Sequence, residues 1–256
     1  MYKATWLAFK LGRLAVRIVP HRWLFAFSDA MANAGFALAR GFRLKSISNI
    51  GVAMADRMDR GMASVTARRS LRSFFRACVE ITIALESSEE QLRAEMPIAG
   101  LKYLDAALAK GNGVIVLSAH LGNFFLVGTR LAIEGYPAHV LVSPPRDPRF
   151  AELMDEVRLQ AWQRTIRARP RRAALHALNT VLRRNEIAIV VADEYRDGRG
   201  IPVPLFGGNV NARRGPATLA LRTGAAIVPA LLVRQPDDGL KLIIECAVRQ
   251  KQKRSP

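Results

Sequence analysis

Cysteine is nearly absent. The chain has two, Cys78 and Cys246, far apart, with no Cys-x-x-Cys and no histidine cluster beside either. That argues against a disulfide framework and against a structural metal site. Aromatic residues make up only 7% of the chain, and few alternate with Lys or Arg as base-stacking surfaces require. Zinc-finger spacing, RNP-like strands, a KH-type Gly-x-x-Gly loop and a basic region with heptads are also missing, so nucleic-acid binding is not expected. The 18 Gly and 13 Pro show no period, and no repeat recurs at solenoid spacing. Long apolar runs are lacking too. Trp23–Leu38 is interrupted by Asp29 and falls short of the roughly 20 residues a membrane span needs. Asn112–Thr129 is the longest stretch free of Asp, Glu, Lys and Arg, but its Gly, Asn, His and Ser mark a strand, a turn and a helix. No small-residue cleavage site follows an apolar core near the start, so no signal peptide is expected.

Acid is the scarcest ingredient relative to its counterpart. The 256 residues carry 21 Asp and Glu against 39 Lys and Arg, a formal net charge of +18. Half the chain is hydrophobic and 23% is charged, which excludes a disordered or fibrous protein. A globular chain this basic meets polyanions, and with nucleic acid set aside the expected partner is an anionic membrane surface. The length suits one α/β domain or two small ones.

The first helix shows how the charge is arranged. At about 100° per residue, Lys3, Lys10, Arg13 and Arg17 fall within about an 80° wedge that also holds Trp6. Leu7, Leu11, Leu14, Ala15 and Ile18 cluster on the other side. The pattern fits a helix lying in a membrane interface, or one that packs its apolar face on the body of the protein. Arg68, Arg69, Arg72 and Arg76 form a second basic stripe, solvated or facing headgroups. Residues 1–95 are expected to be a helical, membrane-associating region.

Residues 96–256 alternate short apolar strands with helices. Strand-like runs are Val114–Ser118, Ala138–Val142, Ile187–Ala192, Ala226–Val233 and Leu242–Val248. Helical patterns cover Leu101–Lys110, Asn123–Glu134, Phe150–Arg167, Ala173–Arg184 and Gly215–Thr223. This alternation implies an α/β fold with a largely parallel sheet flanked by helices. Ligands in such sheets bind at the carboxyl ends of the strands. His120 sits there, where Val114–Ser118 runs into a Gly-Asn turn, and a neutral imidazole at that place serves as a general base or caps the turn. His21, His139 and His176 have less suitable surroundings.

Ser118-Ala119-His120-Leu121-Gly122-Asn123-Phe124-Phe125 resembles the first motif of the lysophospholipid acyltransferase superfamily, in its late lipid A acyltransferase branch. Further likenesses follow in order. Asp193-Glu194 is followed by a Val-Pro-Leu-Phe-Gly segment at 203–207, and Gly215-Pro216-Ala217 leads to Thr223-Gly224-Ala225. The resemblance spans nearly the whole chain. It implies a glycerol-phosphate-acyltransferase-like fold with N-terminal amphipathic helices, peripheral or monotopic on the cytoplasmic face of the bacterial inner membrane. The implied reaction moves a fatty acyl group from acyl carrier protein or acyl-coenzyme A to a hydroxyl of a phospholipid or lipid A-type acceptor, without cofactor or metal.

In that family the histidine deprotonates the acceptor hydroxyl, and an acid five positions on orients it. Here Phe125 holds the acid's position. Asp193 and Glu194, expected on a neighbouring strand, are the candidates to replace it. The alternative is a non-catalytic relative that binds acyl lipid. Main-chain N–H groups of Gly122 and Asn123 are expected to meet the oxyanion, and Phe124, Phe125 and Leu126 to line the acyl groove. Arg146, Arg149, Arg213 and Arg214 are expected to contact substrate, because a guanidinium fork suits phosphate. Family members continue further past the last strand than this chain, which ends in the basic segment 249–256.

Overall fold

The computed structural model describes residues 2–54, 57–193, 200–206 and 208–249, with the side chains of 2–5 left aside. The chain forms two compact units, residues 1–87 with 195–212, and residues 88–194 with 213–256.

In the first unit four helices, α1 (Tyr2–Ile18), α2 (His21–Leu38), α3 (Arg40–Met54) and α4 (Arg60–Ala84), are built around α4. Asp59 caps α4, its side chain accepting from the Met62 N–H at 2.7 Å. A two-stranded hairpin, β6 (Ile201–Leu205) with β7 (Gly208–Ala212), belongs to the same unit. Pro202 and Pro204 disguise β6 in the sequence. They are tolerated because a two-stranded ribbon has an unpaired side.

The apolar stripe of α1 faces outward. Leu7, Leu11, Leu14 and Ile18 are 52%, 56%, 53% and 71% exposed, so the expectation that this face packs on the body of the protein fails. The packed face is the one with Phe9, Gly12, Arg13 and Val16, all partly buried. Two ion pairs accompany this face. Arg13 and Arg17 both pair with Glu86, just past the end of α4. The same pairing corrects the second stripe. Arg72 and Arg76 hold Asp29 of α2, with Arg76 bidentate at 2.8 and 2.7 Å, and Arg68 bonds Asn33 at 2.9 Å. Three of those four arginines therefore bind a neighbouring helix. Around Asp29, the buried Ser28, Ala32 and Phe36 seat α2 in the bundle.

The second unit contains a seven-stranded sheet. Chain order gives α5 (Glu89–Glu95), β1 (Ile98–Ala99), α6 (Leu101–Leu108), β2 (Val114–Ser118), α7 (Leu126–Ala132), β3 (Ala138–Val142), α8 (Pro148–Gln160), β4 (Arg164–Arg167), α9 (Arg171–Arg183), β5 (Ile187–Val191), α10 (Gly215–Thr223), β8 (Ala226–Arg234) and β9 (Leu240–Ile244). The strand order is β1-β9-β8-β2-β5-β3-β4, parallel except between β8 and β9. Alternate residues of the central strands face opposite helical layers. Ile115, Ala188, Val190 and Ile227 pack with Leu178 and Leu182 of α9 and Leu219 and Ala220 of α10. Val114, Val116, Ile187, Ile189 and Val228 point the other way and are also buried, the continuous apolar character a doubly covered sheet requires.

Some element limits differ from those expected. The helix expected over Phe150–Arg167 ends at Gln160, and the chain reverses through Trp162 into the edge strand β4. The last strand lies at Leu240–Ile244 rather than 242–248. Among the described residues no helix is long and apolar enough to cross a membrane.

The Asp29 cluster carries a pH prediction. Hydrogen bonds from Arg76 and then Arg72 outweigh desolvation and hold the Asp29 carboxyl down at about 2, against an ordinary 3.8. A depressed carboxylate stabilises the fold above its unfolded pKa, and that contribution disappears as pH falls through the folded value. Asp29→Asn is expected to cost about 1–3 kcal/mol at neutral pH. The gap in melting temperature between wild type and variant, followed by circular dichroism, should narrow as pH drops from 4 towards 2. A gap independent of pH would refute the assignment.

Candidate active site

Strand register brings the first two groups together. β2 and β5 are parallel neighbours with Ser118 opposite Val191. His120 and Asp193 each lie two residues beyond those partners, so both emerge at the carboxyl edge of the sheet despite 73 positions of separation. The imidazole Nδ1 is 2.8 Å from Asp193 Oδ1, and the main-chain N–H of His120 donates to Oδ2 at 2.8 Å. One carboxylate thus grips both the ring and the backbone of the same histidine. In the tautomer with hydrogen on Nδ1 the ring donates to this carboxylate, and Nε2 is the nitrogen left with a lone pair. Both side chains remain reachable, 45% and 42% exposed. Glu194 lies outside the described residues.

The turn after His120 is fixed by a close approach to β8. Gly122 has φ +60°, and a Cβ there would lie 2.0 Å from the carbonyl oxygen of Leu232. Only glycine fits. The next N–H, that of buried Asn123, donates to the same carbonyl at 3.0 Å. Of the two N–H groups expected to meet an oxyanion, that of Asn123 is engaged within the fold, and Gly122 is an exposed residue. α7 starts at Leu126, later than expected, because Gly122 and Asn123 are used in this tie.

The aromatic residues divide. Phe124 sets its ring edge-on to the His120 imidazole, centroids 4.7 Å apart. Phe125 lies half-buried with the Arg158 guanidinium 5.4 Å from its ring centre. Leu126 is 1% exposed and belongs to the core, not to a groove wall. Of the three, Phe124 is the one against His120.

The expected arginines lie at segment ends. Arg146 and Arg149 follow β3, where Asp147 caps α8 by accepting the Arg149 N–H at 3.0 Å. The Arg149 side chain also approaches Asp147, at 3.5 Å, so part of its charge is met locally. Arg213 and Arg214, both exposed, precede α10. That helix packs on β8 and ends at Gly224, beside Asn112 at the amino edge of β2. Its start is therefore at the carboxyl edge, the side of His120 and Asp193. His139 lies at the other edge, 2.7 Å from Glu186, and His21 and His176 are exposed on helices. Sequence reasoning missed the Leu232 carbonyl and the buried Gln163, since a main-chain acceptor and an internal amide leave no motif.

Comparison with known proteins places the whole chain. The chain is 28% identical over 238 residues to phosphatidylinositol mannoside acyltransferases from two strains of Mycobacterium tuberculosis, covering 88% of this chain and 72% of theirs. A phosphatidylinositol mannoside acyltransferase of Mycolicibacterium smegmatis is 26% identical over 167 residues, 63% of this chain and 54% of its own length. The family model described as bacterial lipid A biosynthesis acyltransferase matches residues 1–256. With that match over its whole length, the chain belongs to the bacterial lipid A biosynthesis acyltransferase family and is an acyltransferase.

Proposed function

We propose that the protein transfers a fatty acyl group from an acyl thioester, carried by acyl carrier protein or coenzyme A, to a hydroxyl of a glycolipid or lysophospholipid. The observation that carries this is the Asp193 grip on His120. It supplies from a neighbouring strand the acid that position 125 lacks. His120 Nε2 takes the proton from the acceptor hydroxyl. The oxygen attacks the thioester carbonyl, and the N–H of Gly122, an exposed residue, meets the resulting oxyanion. Collapse expels the thiolate, which takes the proton back from the imidazolium, while Asp193 stabilises that cation throughout. Arg146, Arg213 and Arg214, with Arg149 beside Asp147, meet acceptor or donor phosphate. The relatives' name, which specifies a phosphatidylinositol mannoside, favours a glycolipid acceptor.

The helical unit supplies the membrane contact in this proposal. Leu7, Leu11, Leu14 and Ile18 of α1, with Trp23, Phe27, Met31 and Leu38 of α2, are exposed at helical spacing. Lys10 lies 4.1 Å above the Trp6 ring, an aromatic–cation pairing suited to the headgroup level. The chain rests peripherally on the cytoplasmic face of the inner membrane, its apolar stripes in the acyl boundary.

Lipid mass spectrometry of cells expressing wild type, His120→Ala or Asp193→Asn tests the chemistry. A new acylated lipid should appear with wild type and fall about 10²–10⁴-fold with either variant. Full activity in Asp193→Asn would overturn the pairing. Phe125→Glu should add nothing, because a carboxylate there meets Arg158. Activity gained by that change alone would mean a catalyst lost and a lipid-binding relative.

Vesicle flotation tests the surface. Leu11→Asp with Leu14→Asp should weaken binding to vesicles containing anionic phospholipid at least about tenfold, because two half-exposed leucines lose their burial. Unchanged flotation would place the membrane contact elsewhere.

A further inference from the structure

We infer that Gln163, far from the motif in sequence, is a positioning residue for the His120 turn, an inference that rests on the proposed His120 chemistry. Gln163 is 2% exposed, and its amide nitrogen donates twice. One bond reaches the Phe125 carbonyl at 2.7 Å and the other the Thr129 hydroxyl at 2.9 Å. Thr129 passes its own hydrogen to the Ala161 carbonyl at 3.0 Å. Every donor in this chain has an acceptor, which fixes the amide's orientation.

Three locally unfavourable choices coincide to make that contact. A polar amide is buried where an apolar side chain would pack at less cost. Gly128 stands within α7, where glycine disfavours helix, yet a Cβ there would lie 2.9–3.0 Å from the Gln163 side chain. Trp162 adopts φ +58° where α8 reverses, with the Gln163 N–H returning to the Arg158 carbonyl at 2.8 Å, a place glycine usually fills. Local choices that conflict with propensity yet serve one contact mark a functional constraint.

The contact fixes the start of α7. The Leu126 N–H bonds the Asn123 carbonyl at 3.1 Å, the Asn123 N–H bonds Leu232, and Phe124, between Asn123 and Phe125, presses its ring on His120. The His120 turn is thus pinned at three points, by Asp193 on the imidazole, by Leu232 on Asn123 and by Gln163 on the Phe125 carbonyl. Losing the third lets the Phe124 ring and the imidazole drift together. Substrate still binds, but the base is misplaced for the transition state.

Two variants and two readouts test this. Gln163→Met keeps the volume and removes the donor. The double variant Gln163→Ala, Gly128→Ala empties the slot and refills it with a better helix former, so the fold is restored without the tie. In both, kcat should fall about 10–100-fold with KM within about twofold. The Nδ1–H of His120, followed by nitrogen-15 NMR, should exchange with solvent at least about tenfold faster. A double variant that recovers both melting temperature and kcat would reduce Gln163 to a packing role and overturn the inference. If wild type transfers no acyl group, the proposed function fails, and the NMR exchange rate decides Gln163 alone: unchanged exchange refutes it, faster exchange upholds it.

Discussion

A carboxylate that accepts from both the ring and the main chain of one histidine sets a strict geometric demand. Asp193 meets it only because β5 lies directly beside β2 with Ser118 opposite Val191. Chain order alone would put β3 there. Instead the chain runs out through β3 and β4, and α9 carries it back to insert β5 between β2 and β3. Neighbouring strands are about 4.8 Å apart, so a sheet with β3 against β2 would hold the carboxylate one strand too far away. Topology here is a condition for the proposed chemistry rather than a background to it.

Taking the acid from a neighbouring strand changes what the histidine turn must do. A turn that carries its own acid holds base and partner by short-range geometry. In the proposed mechanism this turn supplies only the base, and it is held by groups from three other segments: the β5 edge, the Leu232 carbonyl of β8, and the α8–β4 reversal that carries Gln163. In that proposal position 125 is released from chemistry, and its ring packs beneath Arg158. Phe125 is then consistent with an intact mechanism, and the helical glycine at 128 and the left-handed Trp162 fall within one explanation.

Much of this was legible in the sequence. Both Val114–Ser118 and Ala138–Val142 appear as strands at the expected limits. The first is an almost fully buried apolar run, and the second, with only Ala138 buried and His139 within it, still carries the Val-Leu-Val that favours a strand. His120 could be named because a strand ending in a polar turn is a local signal, whereas Gly122 and Asp193 were named through the family resemblance. Edges were harder. β4 reads Arg-Thr-Ile-Arg, with one buried residue on a sheet edge, and it merged with the preceding helix because the left-handed turn at Trp162 has none of glycine's usual signature. The engagement of the Asn123 N–H was invisible for a different reason. Its partner is a main-chain carbonyl 109 positions away, and main-chain groups have no identity in a sequence.

The helical unit shows the same limit from the side of charge. A helical wheel divides α1 into a basic and an apolar face, but it cannot say which one finds a partner. Neither does alone. The packed face is a third one, Phe9, Gly12, Arg13 and Val16, and the basic wedge straddles its edge, with the Arg13 and Arg17 side chains 27% and 61% exposed although both pair with Glu86. Asp29 of α2 meets Arg72 and Arg76 of α4 in the same way. In a chain this poor in acid, these two carboxylates each meet two cations on another helix. The leucines of α1 and the large apolar side chains of α2 are left exposed, where water is a poor neighbour. Charge and apolar surface are thus both available on α1, and in the proposed membrane contact the leucines enter the bilayer while Lys10, over the Trp6 ring, meets the headgroups.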